Sequence, residues 1–552
     1  MTTKKRPPFT RRHFIKTLSA GVILLPAACS GRSGFDVIIR GGDIIDGTGE
    51  ASYRADVGIR NGRIAEIGDL AGQTGRRTIQ AEGLAVAPGF IDIHNHSDTA
   101  LLSEPLCESM VRQGVTTMVL GEGNSAGPVR PGERDWTTLG EYFDLVSRQG
   151  VATNICSYVG QGRVWTYVKG DDFAPATNSD IQEMRSLVDQ AMQDGAMGVS
   201  TSLLMPPQNM ITTDQLVELV TVAHSRGGIY STHIRDEGEG VFDSVSEAIE
   251  IGRRTGIRVD IIHLKIAHKN LWGRMDEVIA MIDDARADGL DIQANVYPYT
   301  AGQNNLRAII PPWAHEGGRE QMLSRLSDPD HRSRMRRDIL EGIPGWYNHY
   351  LATGDGWDGM ILVSLSSEEN RPFQGRTMGD LIRHRGGDPV DTFFDVLREE
   401  NGSVPTVFFH HSEEDMQLAL AQPYTSVGSD GSAVSIGGPT GPTHPHPRFY
   451  GTFPRVLGRY VRDLGLLSLP EAVRKMTAMN AEKIRLEGRG YIRNGYHADV
   501  TIFDPERVID RATFQEPNQY AEGIEGVLVN GEVILENGER TDMLPGHVLR
   551  NT

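Results

Sequence analysis

The feature that most constrains the fold is a repeated alternation of short apolar runs and amphipathic segments after Gly89. The runs read GFIDI, TTMVL, AMGVST, GGIYST, RVDII, LDIQANVY, TVFF and YTSVG, and stretches such as TTDQLVELVTVAHSRG separate them. Strands that alternate with helices in this way form βαβ units around a parallel sheet. Eight such runs fit a (β/α)₈ barrel with extra segments better than a doubly wound sheet.

Short strands with glycine-rich turns flank this alternation, as in FDVIIRGGDIID and IEGVLVNGEVILENGE. They predict a small β-sandwich domain built from residues 35–86 and 485–540, with the barrel in residues 87–484. Residues 303–360 are rich in Arg, Asp, Pro and Trp and lack strand alternation. We expect an inserted helical or loop segment there, either a lid over the active site or a surface elaboration.

Residues 1–29 have the composition of an export signal. The basic segment KKRPPFTRRHFIK precedes the apolar stretch TLSAGVILLPAA, about half of the ~20 residues that span a bilayer. Arg11 and Arg12, followed by His-Phe-Ile-Lys, resemble a twin-arginine signal, with an ordinary secretory signal as the alternative. We expect an exported protein, either periplasmic or anchored to the membrane as a lipoprotein through Cys29.

Composition excludes several classes of protein. The 552 residues carry a formal net charge of −18, which argues against a nucleic-acid or anionic-membrane partner. The partner that the hydrolase hypotheses below require is a small-molecule substrate. No segment after the leader is long and apolar enough to span a membrane. Three cysteines are too few for a disulfide scaffold. Cys107 and Cys156 are expected to be buried apolar residues, with a bond between them as the alternative.

Residues of metal-binding type end several of the predicted barrel strands. The carboxyl ends of barrel strands face one mouth, where active sites lie, and residues i and i+2 of an extended chain share a face. Imidazoles with carboxylates suit zinc or a similar divalent ion, one or two of which would activate water and polarise a carbonyl. Asp430 would be the general acid/base in hydrolysis of a C–N bond. The candidate ligands are His94, His96, Glu122, His233, His263 and Asp430.

These motifs are similar to those of the amidohydrolase superfamily and, within it, of the D-aminoacylase (N-acyl-D-amino-acid deacylase) family. The similarity runs from about Phe35 to Glu539 and is carried by GFIDIHNHSD, STHIRDEGEG, IIHLKIAHKNLWG, NVYPYTAG, VGSDGS and HPRFYGTFPRVLGRYV. The resemblance implies release of a D-amino acid from its N-acyl derivative by a metal-dependent barrel enzyme. It pairs the histidines into two metal sites, the first formed by His94 and His96 and the second, tighter one by His233 and His263.

The resemblance also implies a site for the substrate α-carboxylate. Arg448, in HPRFYG, would bind it through a bidentate guanidinium fork, and Lys265 and Tyr297 would assist. The alternatives are a structural ion pair for Lys265 and a helix-edge salt bridge for Arg448. Other polar residues of these motifs receive no firm role or are expected to be structural; the former are Arg235 and Glu237, and the latter His268, His410 and His411.

The sequence departs from the family pattern at informative places. The usual Gly-Asn-Cys-Gly, whose Cys is a metal ligand, reads GEGNSAGP here, so Gly123 takes the Cys position and Glu122 precedes it. We predict that Glu122 replaces the thiolate as a carboxylate that bridges two ions; the rival hypothesis is a solvent bridge with Glu122 structural. Gln303 stands where a substrate-binding Ser is common. No Lys follows AMGVST, which argues against the carbamylated-lysine bridge of hydantoinases and dihydroorotases.

Three functional hypotheses follow. The first is an exported hydrolase of N-acyl-D-amino acids. The second is a hydrolase of the same fold that acts on a dipeptide, a cyclic amide or a lactone, for which Arg448 would matter less when the substrate lacks an α-carboxylate. The third is a periplasmic binding or structural protein on an inactive barrel, and the complete ligand set argues against it.

Overall fold

Eight short, almost wholly buried parallel strands form the centre of the structure, a computed structural model that describes residues 34–439 and 443–551. The third strand is interrupted at Tyr158, and its two parts pair with the second and the fourth strand. A parallel bridge between Asn95 and Gly431 connects the ends of the first and eighth strands. The barrel strands, in order, are Phe90–Asp92, Val115–Leu120, Asn154–Ser157 with Val159–Gly160, Gly198–Ser202, Ile229–His233, Val259–Ile261, Ile292–Val296 and Thr425–Val427.

The predicted (β/α)₈ barrel is therefore confirmed, with one strand placed wrongly. The run TVFF is not a barrel strand: Pro405–Phe408 lies between Gly302–Asn305 and Met360–Leu362 in a separate antiparallel sheet. The third barrel strand is instead NICS, whose Asn and Ser are buried among polar partners. A short apolar run has the same pattern in either kind of sheet, so the sequence alone could not separate them.

The antiparallel sheet belongs to a segment inserted between the seventh and eighth barrel strands. This insertion extends from residue 302 to about residue 408, beyond the predicted end at residue 360. It has a hydrophobic core of its own, which includes Leu306, Met335, Phe393 and Phe408. The segment is therefore an independently packed addition rather than a long loop. Its helices are Gly318–Arg325, Pro329–Glu341, His349–Thr353, Met378–Arg385 and Pro389–Glu399.

The remaining helices lie between the barrel strands and after the eighth strand. Several begin with a threonine that forms a reciprocal capping box with the third helical residue, as Thr138 does with Glu141, which satisfies otherwise free amide groups at the helix start. These helices are Glu108–Val111, Leu139–Gln149, Gln161–Lys169, Asn178–Gln193, Thr213–Ser225, Val241–Thr255, Met275–Ala287, Glu413–Ala421, Arg448–Arg455, Leu469–Met476 and Ala478–Lys483, with a π-helix at Val456–Asp463.

Strands from both ends of the described chain lie in one nine-stranded sheet. Ala85–Pro88 joins the two parts, because it pairs in parallel with Phe35–Ile44 and antiparallel with Val500–Phe503. The division into a barrel and a β-sandwich domain stays a prediction. The other strands of this sheet are Tyr53–Arg60, Arg63–Gly68, Gly75–Gln80, Ile524–Val529, Glu532–Glu536 and Glu539–Arg540.

A buried carboxylate fixes the barrel where it closes. Asp92, the last residue of the first strand, accepts hydrogen bonds from the Ser429 backbone N–H at 2.7 Å and the Ser429 hydroxyl at 2.5 Å. It also accepts one from Asn95 Nδ2 at 2.8 Å. Because Ser429 follows the eighth strand, these bonds hold the ends of the first and eighth strands together at the mouth of the barrel.

The predicted export signal, with Arg11, Arg12 and Cys29, lies outside the described residues. Among the residues that are described, no helix is both long and apolar enough to cross a membrane. Cys107 and Cys156 are buried and free, so the alternative of a disulfide between them is not what the structure contains. Burial raises the pKa of each thiol to about 12, which is the behaviour of inert apolar residues.

Candidate metal centre and active site

The ends of the barrel strands bring the six candidate ligands together at one mouth. Their imidazole and carboxylate groups form two overlapping sets, and within each set the candidate ligand atoms lie within 4.8 Å of one another. Convergence of this kind is what the strand-end pattern predicted. The first set is His94, His96, Glu122 and Asp430, and the second is Glu122, His233 and His263.

Glu122 is the member common to both sets. Its Oε2 atom lies 2.6 Å from His94 Nε2 and 3.1 Å from His96 Nε2. Its Oε1 atom lies 2.9 Å from His233 Nδ1. One carboxylate oxygen thus faces each set, which is the arrangement required of a bridging ligand and supports the predicted replacement of a thiolate by Glu122.

Gly123 has no room for the cysteine that the family places there. A Cβ atom at this position would lie 2.7 Å from Ser202 Cβ and 2.7 Å from Gln208 Oε1. The backbone is also left-handed, with a φ of +57°, which residues with a side chain rarely adopt. The candidate ligand Glu122 therefore lies one residue before the position of the family's cysteine, and that position itself is closed by packing.

The electrostatics of the site suit divalent cations. Burial lowers the pKa of His96, but Asp430 and Glu122 outweigh it and raise the pKa to about 10. Glu237 and Glu122 likewise raise the pKa of His233 to about 9, against the effect of burial. The carboxylates therefore favour positive charge at these rings, and His94 Nδ1 and His233 Nε2 are buried without a hydrogen-bond partner. Imidazole nitrogens and carboxylate oxygens are also the ligand types that zinc takes.

Asp430 combines a strained backbone with an ionised carboxylate. Its φ is +51°, and its N–H donates to the His94 carbonyl oxygen at 2.8 Å, which fixes the side chain over the first histidine pair. Oδ1 lies 2.8 Å from His96 Nε2, and Oδ2 lies 2.7 Å from Arg448 Nη1. Burial alone would raise the pKa of Asp430, but Arg448 and His94 lower it by a larger amount. The net pKa is therefore below the ordinary value, and the group is a carboxylate able to accept a proton. Non-glycine residues in the left-handed region cluster at functional sites.

Arg448 is placed to receive an anion beside Asp430. Its side chain is 3% exposed, and its guanidinium lies over the Tyr297 ring, 4.8 Å from the ring centroid. The contact with Asp430 is close but not aligned as a hydrogen bond, and Nε and Nη1 are buried without an acceptor. Unused buried guanidinium donors are costly unless a ligand satisfies them. A substrate carboxylate would do so.

Lys265 forms an ion pair, as the alternative interpretation of this residue predicted. Its amine donates to Glu237 Oε1 at 2.5 Å and to His263 Nδ1 at 2.7 Å, and only 8% of the residue is exposed. These contacts engage the amine in holding the histidine. Lys265 and burial also lower the pKa of His263 to about 4, which keeps the imidazole neutral, as a metal ligand requires.

Glu237 is the site residue to which sequence reasoning assigned no role. It is buried, with Oε1 3.0 Å from His263 Nδ1 and Oε2 3.6 Å from His233 Nε2. A carboxylate in contact with ligand imidazoles orients them, and loss of such a contact weakens metal binding. Its position four residues after His233, in HIRDEG, was the available signal.

The other polar residues of the motifs lie away from the two ligand sets. Arg235 pairs with Glu247 at 2.8 Å. Gln303 accepts a hydrogen bond from the His446 backbone N–H at 2.9 Å, so its carbonyl oxygen is engaged in the loop that precedes Arg448. The histidines expected to be structural are buried and belong to neither set; these are His268, His410 and His411.

Comparisons with known proteins agree with this architecture. The model of the Amidohydrolase family matches residues 409–535. The chain is 34% identical to D-aminoacylase from Alcaligenes xylosoxydans xylosoxydans, over 94% of this chain and 98% of that protein. A crystal structure of N-acyl-D-glutamate deacylase from Bordetella bronchiseptica, complexed with zinc and a phosphonate inhibitor, has a TM-score of 0.79 at 32% identity and covers 94% of this chain and 100% of that one. A D-aminoacylase structure that concerns a binuclear metal centre has a TM-score of 0.78 at 34% identity, with the same coverage.

The fold and the ligand sets at the mouth of the barrel define this protein as an amidohydrolase. Within that class, the similarity over nearly the whole chain is decisive. The chain belongs to the D-aminoacylase family of N-acyl-D-amino-acid deacylases.

Substitution Glu122→Gln is expected to lower metal affinity at both ligand sets. The amide keeps the size of the side chain but removes the charge that both sets share. Loss of a residue that merely orients a ligand costs about 10- to 100-fold in affinity, so loss of the shared ligand is expected to exceed that range. Metal content after dialysis against graded chelator, measured by mass spectrometry, checks this. Full metal content in Glu122→Gln would favour the rival hypothesis of a solvent bridge.

Substitution Gly123→Cys is expected to destabilise the protein without restoring a thiolate ligand. The new Cβ would contact Ser202 and Gln208, and overpacking of this kind costs about 1–3 kcal/mol. Thermal unfolding measures the loss of stability, and cobalt substitution detects thiolate ligation through its charge-transfer absorption. The double variant with Glu122→Gln is the decisive control, because a cobalt–thiolate band there would contradict the steric argument.

Proposed function

We propose that this protein is a metal-dependent hydrolase that cleaves the amide bond of N-acyl-D-amino acids, yielding a carboxylate and a free D-amino acid. The observation that carries the proposal is Arg448, a buried guanidinium with unused donors, directly beside the ionised Asp430 and the shared ligand sets. An anion-binding group within reach of a proton acceptor matches a substrate whose α-carboxylate lies close to the bond that breaks.

The residues present fit one or two divalent ions, of which zinc is the first choice. His94, His96 and Asp430 would hold one ion and His233 and His263 the other, with Glu122 shared between them. When bound, such an ion lowers the pKa of water and polarises a carbonyl oxygen. Zinc is present in the Bordetella relative's crystal structure, and the D-aminoacylase relative has a binuclear centre.

Asp430 would move the proton that the reaction requires. Its carboxylate takes one proton from the attacking water, because Arg448 and the imidazoles keep it ionised in spite of burial. It then gives that proton to the amide nitrogen as the C–N bond breaks, so the amine leaves as a neutral group. Water adds its oxygen to the acyl carbon, so the first products are a carboxylic acid and a neutral amine. The acid then gives its remaining proton to the amine or to solvent, which leaves a carboxylate and the free amino acid.

Configuration would be selected by fixing two parts of the amino acid at once. Arg448, which lies over the Tyr297 ring, would bind the α-carboxylate on one side, while the scissile carbonyl must lie at the ligand sets. With both ends fixed, the D and L forms exchange the positions of the side chain and the α-hydrogen. One of the two forms then directs its side chain into the wall. The relatives named above act on D-amino-acid derivatives, which supports the D form here.

The decisive experiment compares hydrolysis of paired N-acetyl-D- and N-acetyl-L-amino acids by the zinc-loaded protein. Release of the D-amino acid is expected to be at least about a hundredfold faster, because binding groups left unpaired by the wrong isomer penalise it strongly. Arg448→Lys is expected to lower kcat/KM about a hundredfold, since the charge remains but the bidentate fork is lost.

The matched control is Arg459→Gln, which changes a partly exposed arginine of the helical segment Val456–Asp463 whose partner is the half-buried Glu413. It is expected to keep the wild-type rate. Release from neither series by protein that carries metal would overturn the proposal and favour a dipeptide, cyclic amide or lactone. Equal sensitivity of Arg448→Lys and Arg459→Gln would contradict the assignment of the carboxylate site.

We further propose that the protein is exported by the twin-arginine route and retained at the membrane when Cys29 is lipidated. The support is the basic segment with Arg11 and Arg12 followed by the apolar stretch and Cys29. This route carries folded proteins, which suits an enzyme that binds its metal before export.

Replacing both arginines, Arg11→Lys with Arg12→Lys, is expected to retain the protein in the cytoplasm of a bacterial host. Cell fractionation and immunoblotting measure this. The control Lys4→Arg with Lys5→Arg keeps the basic charge outside the pair and is expected to be exported. Cys29→Ser is expected to release the exported protein from the membrane fraction. Unchanged export of the double arginine variant would instead favour an ordinary secretory signal.

A further inference from the structure

A cavity of about 390 Å³ opens beside the metal ligands, and nothing described so far uses it. It reaches the centre at His96 and Glu122. Its walls come from segments that follow the first four barrel strands, whereas Lys265, Tyr297 and Arg448 follow the sixth, seventh and eighth strands. The cavity therefore reaches the ligand sets through His96 and Glu122, and none of Lys265, Tyr297 and Arg448 lines it.

Arg163 is held rigidly in the wall of this cavity. It lies in the first turn of the helix Gln161–Lys169, and its backbone N–H donates to the Gly123 carbonyl oxygen at 3.0 Å. Its Nε donates to the Ser125 carbonyl oxygen at 3.0 Å. Both anchors belong to the loop that directly follows Glu122. The guanidinium is thus tied to the same loop that carries the shared ligand.

The carboxylates of Glu133 and Asp98 act on the guanidinium of Arg163 electrostatically, but it forms an ion pair with neither of them. Within the described part of the chain, Arg163 forms no salt bridge, and its hydrogen bond to Ser125 uses Nε alone. A second guanidinium, that of Arg134, lies in the same wall, 5.8 Å from the centroid of the Trp136 ring, and it also forms no salt bridge with a described residue. Asp98 is a carboxylate of this wall, but neither arginine pairs with it. Two unpaired guanidiniums beside a cavity form a site for an anion.

The position of the cavity indicates which part of a substrate would enter it. In an N-acyl amino acid, the acyl chain and the α-carboxylate leave the amide group in opposite directions. When the carboxylate lies at Arg448 and the carbonyl at the ligand sets, the acyl chain leads past His96 toward Arg163. Building on the function proposed above, we infer that this protein prefers acyl groups that carry their own terminal carboxylate, such as N-succinyl or N-glutaryl, and that Arg163 and Arg134 determine this preference.

The test compares charged and neutral acyl groups of the same shape on one amino acid. The substrates are N-succinyl-D-leucine and its amide analogue N-succinamoyl-D-leucine, with N-acetyl-D-leucine as the reference. The kcat/KM ratio of the charged to the neutral substrate is expected to be at least about tenfold, which is the scale of a charge-assisted hydrogen bond. This comparison needs no variant, so it holds even if a substitution in the wall impairs folding.

Substitution Arg163→Gln is expected to bring this ratio close to one, and Arg134→Gln to lower it less, because Arg134 is exposed. The control Arg148→Gln alters an exposed arginine at the end of the helix Leu139–Gln149, outside the cavity, and is expected to keep the wild-type ratio. Thermal unfolding of each variant reports whether its fold is intact.

The same carboxylate chemistry could instead come from an acidic side chain of the D-amino acid. The kcat/KM ratio of N-acetyl-D-glutamate to N-acetyl-D-glutamine separates the two sources. If Arg163→Gln changes this ratio and leaves the succinyl ratio unaltered, the cavity binds the side chain and the inference about the acyl group is wrong. Hydrolysis of N-acetyl-D-leucine with no preference for the succinyl substrate would also overturn it, while the proposed function would stand. No hydrolysis of any of these substrates by the zinc-loaded protein would overturn both.

Discussion

The contact on which the active site depends is the carboxylate of Glu122 between two pairs of imidazoles. One oxygen faces His94 and His96 and the other faces His233, so a single side chain sets the distance between the two ligand sets. The barrel supplies the strand ends, and the packing around Gly123 fixes where the carboxylate can be. Because a Cβ at Gly123 would meet Ser202 and Gln208, the chain cannot return to the family's cysteine without moving the fourth strand and the loop beyond it.

Negative charge at this contact governs the protonation of its neighbours. Glu122, Asp430 and Glu237 are buried together, and they raise the pKa of His96 to about 10 and that of His233 to about 9. The negative charge of such a cluster can be balanced either by protonated imidazoles or by divalent cations. Cation binding must therefore release protons. Lys265 and Arg448 balance the rest, one against Glu237 and the other against Asp430. This charge balance explains why the cationic side chains of Lys265 and Arg448 are both buried.

The sequence predicted the parts of the site that depend on strand ends. His94 and His96 follow an apolar run two residues apart, and Asp430 follows another, so a periodic pattern was enough to bring them to one mouth. The barrel strand NICS was missed because its buried Asn and Ser break the apolar pattern, and TVFF was misplaced because an antiparallel strand of the insertion has the same composition. The pairing of a strand with distant segments of the chain leaves no local signal in the sequence.

Glu237 and Arg163 were missed for a different reason. Charged residues usually lie at the surface, and only the folded chain shows that Glu237 is buried against two imidazoles while Arg163 is bound to the loop after Glu122. The two cases also differ from each other. Glu237 has a cationic partner in Lys265, so its charge is balanced within the protein and its effect is to hold the ligands. Arg163 forms no ion pair with a described residue, although Glu133 and Asp98 act on it electrostatically, so its terminal nitrogens can bind a ligand. Arg448 shows that a partner alone does not decide the role, because it lies beside Asp430 and still has unused donors. In this site the donors that remain free, rather than the residue type, mark the charges that can select a substrate.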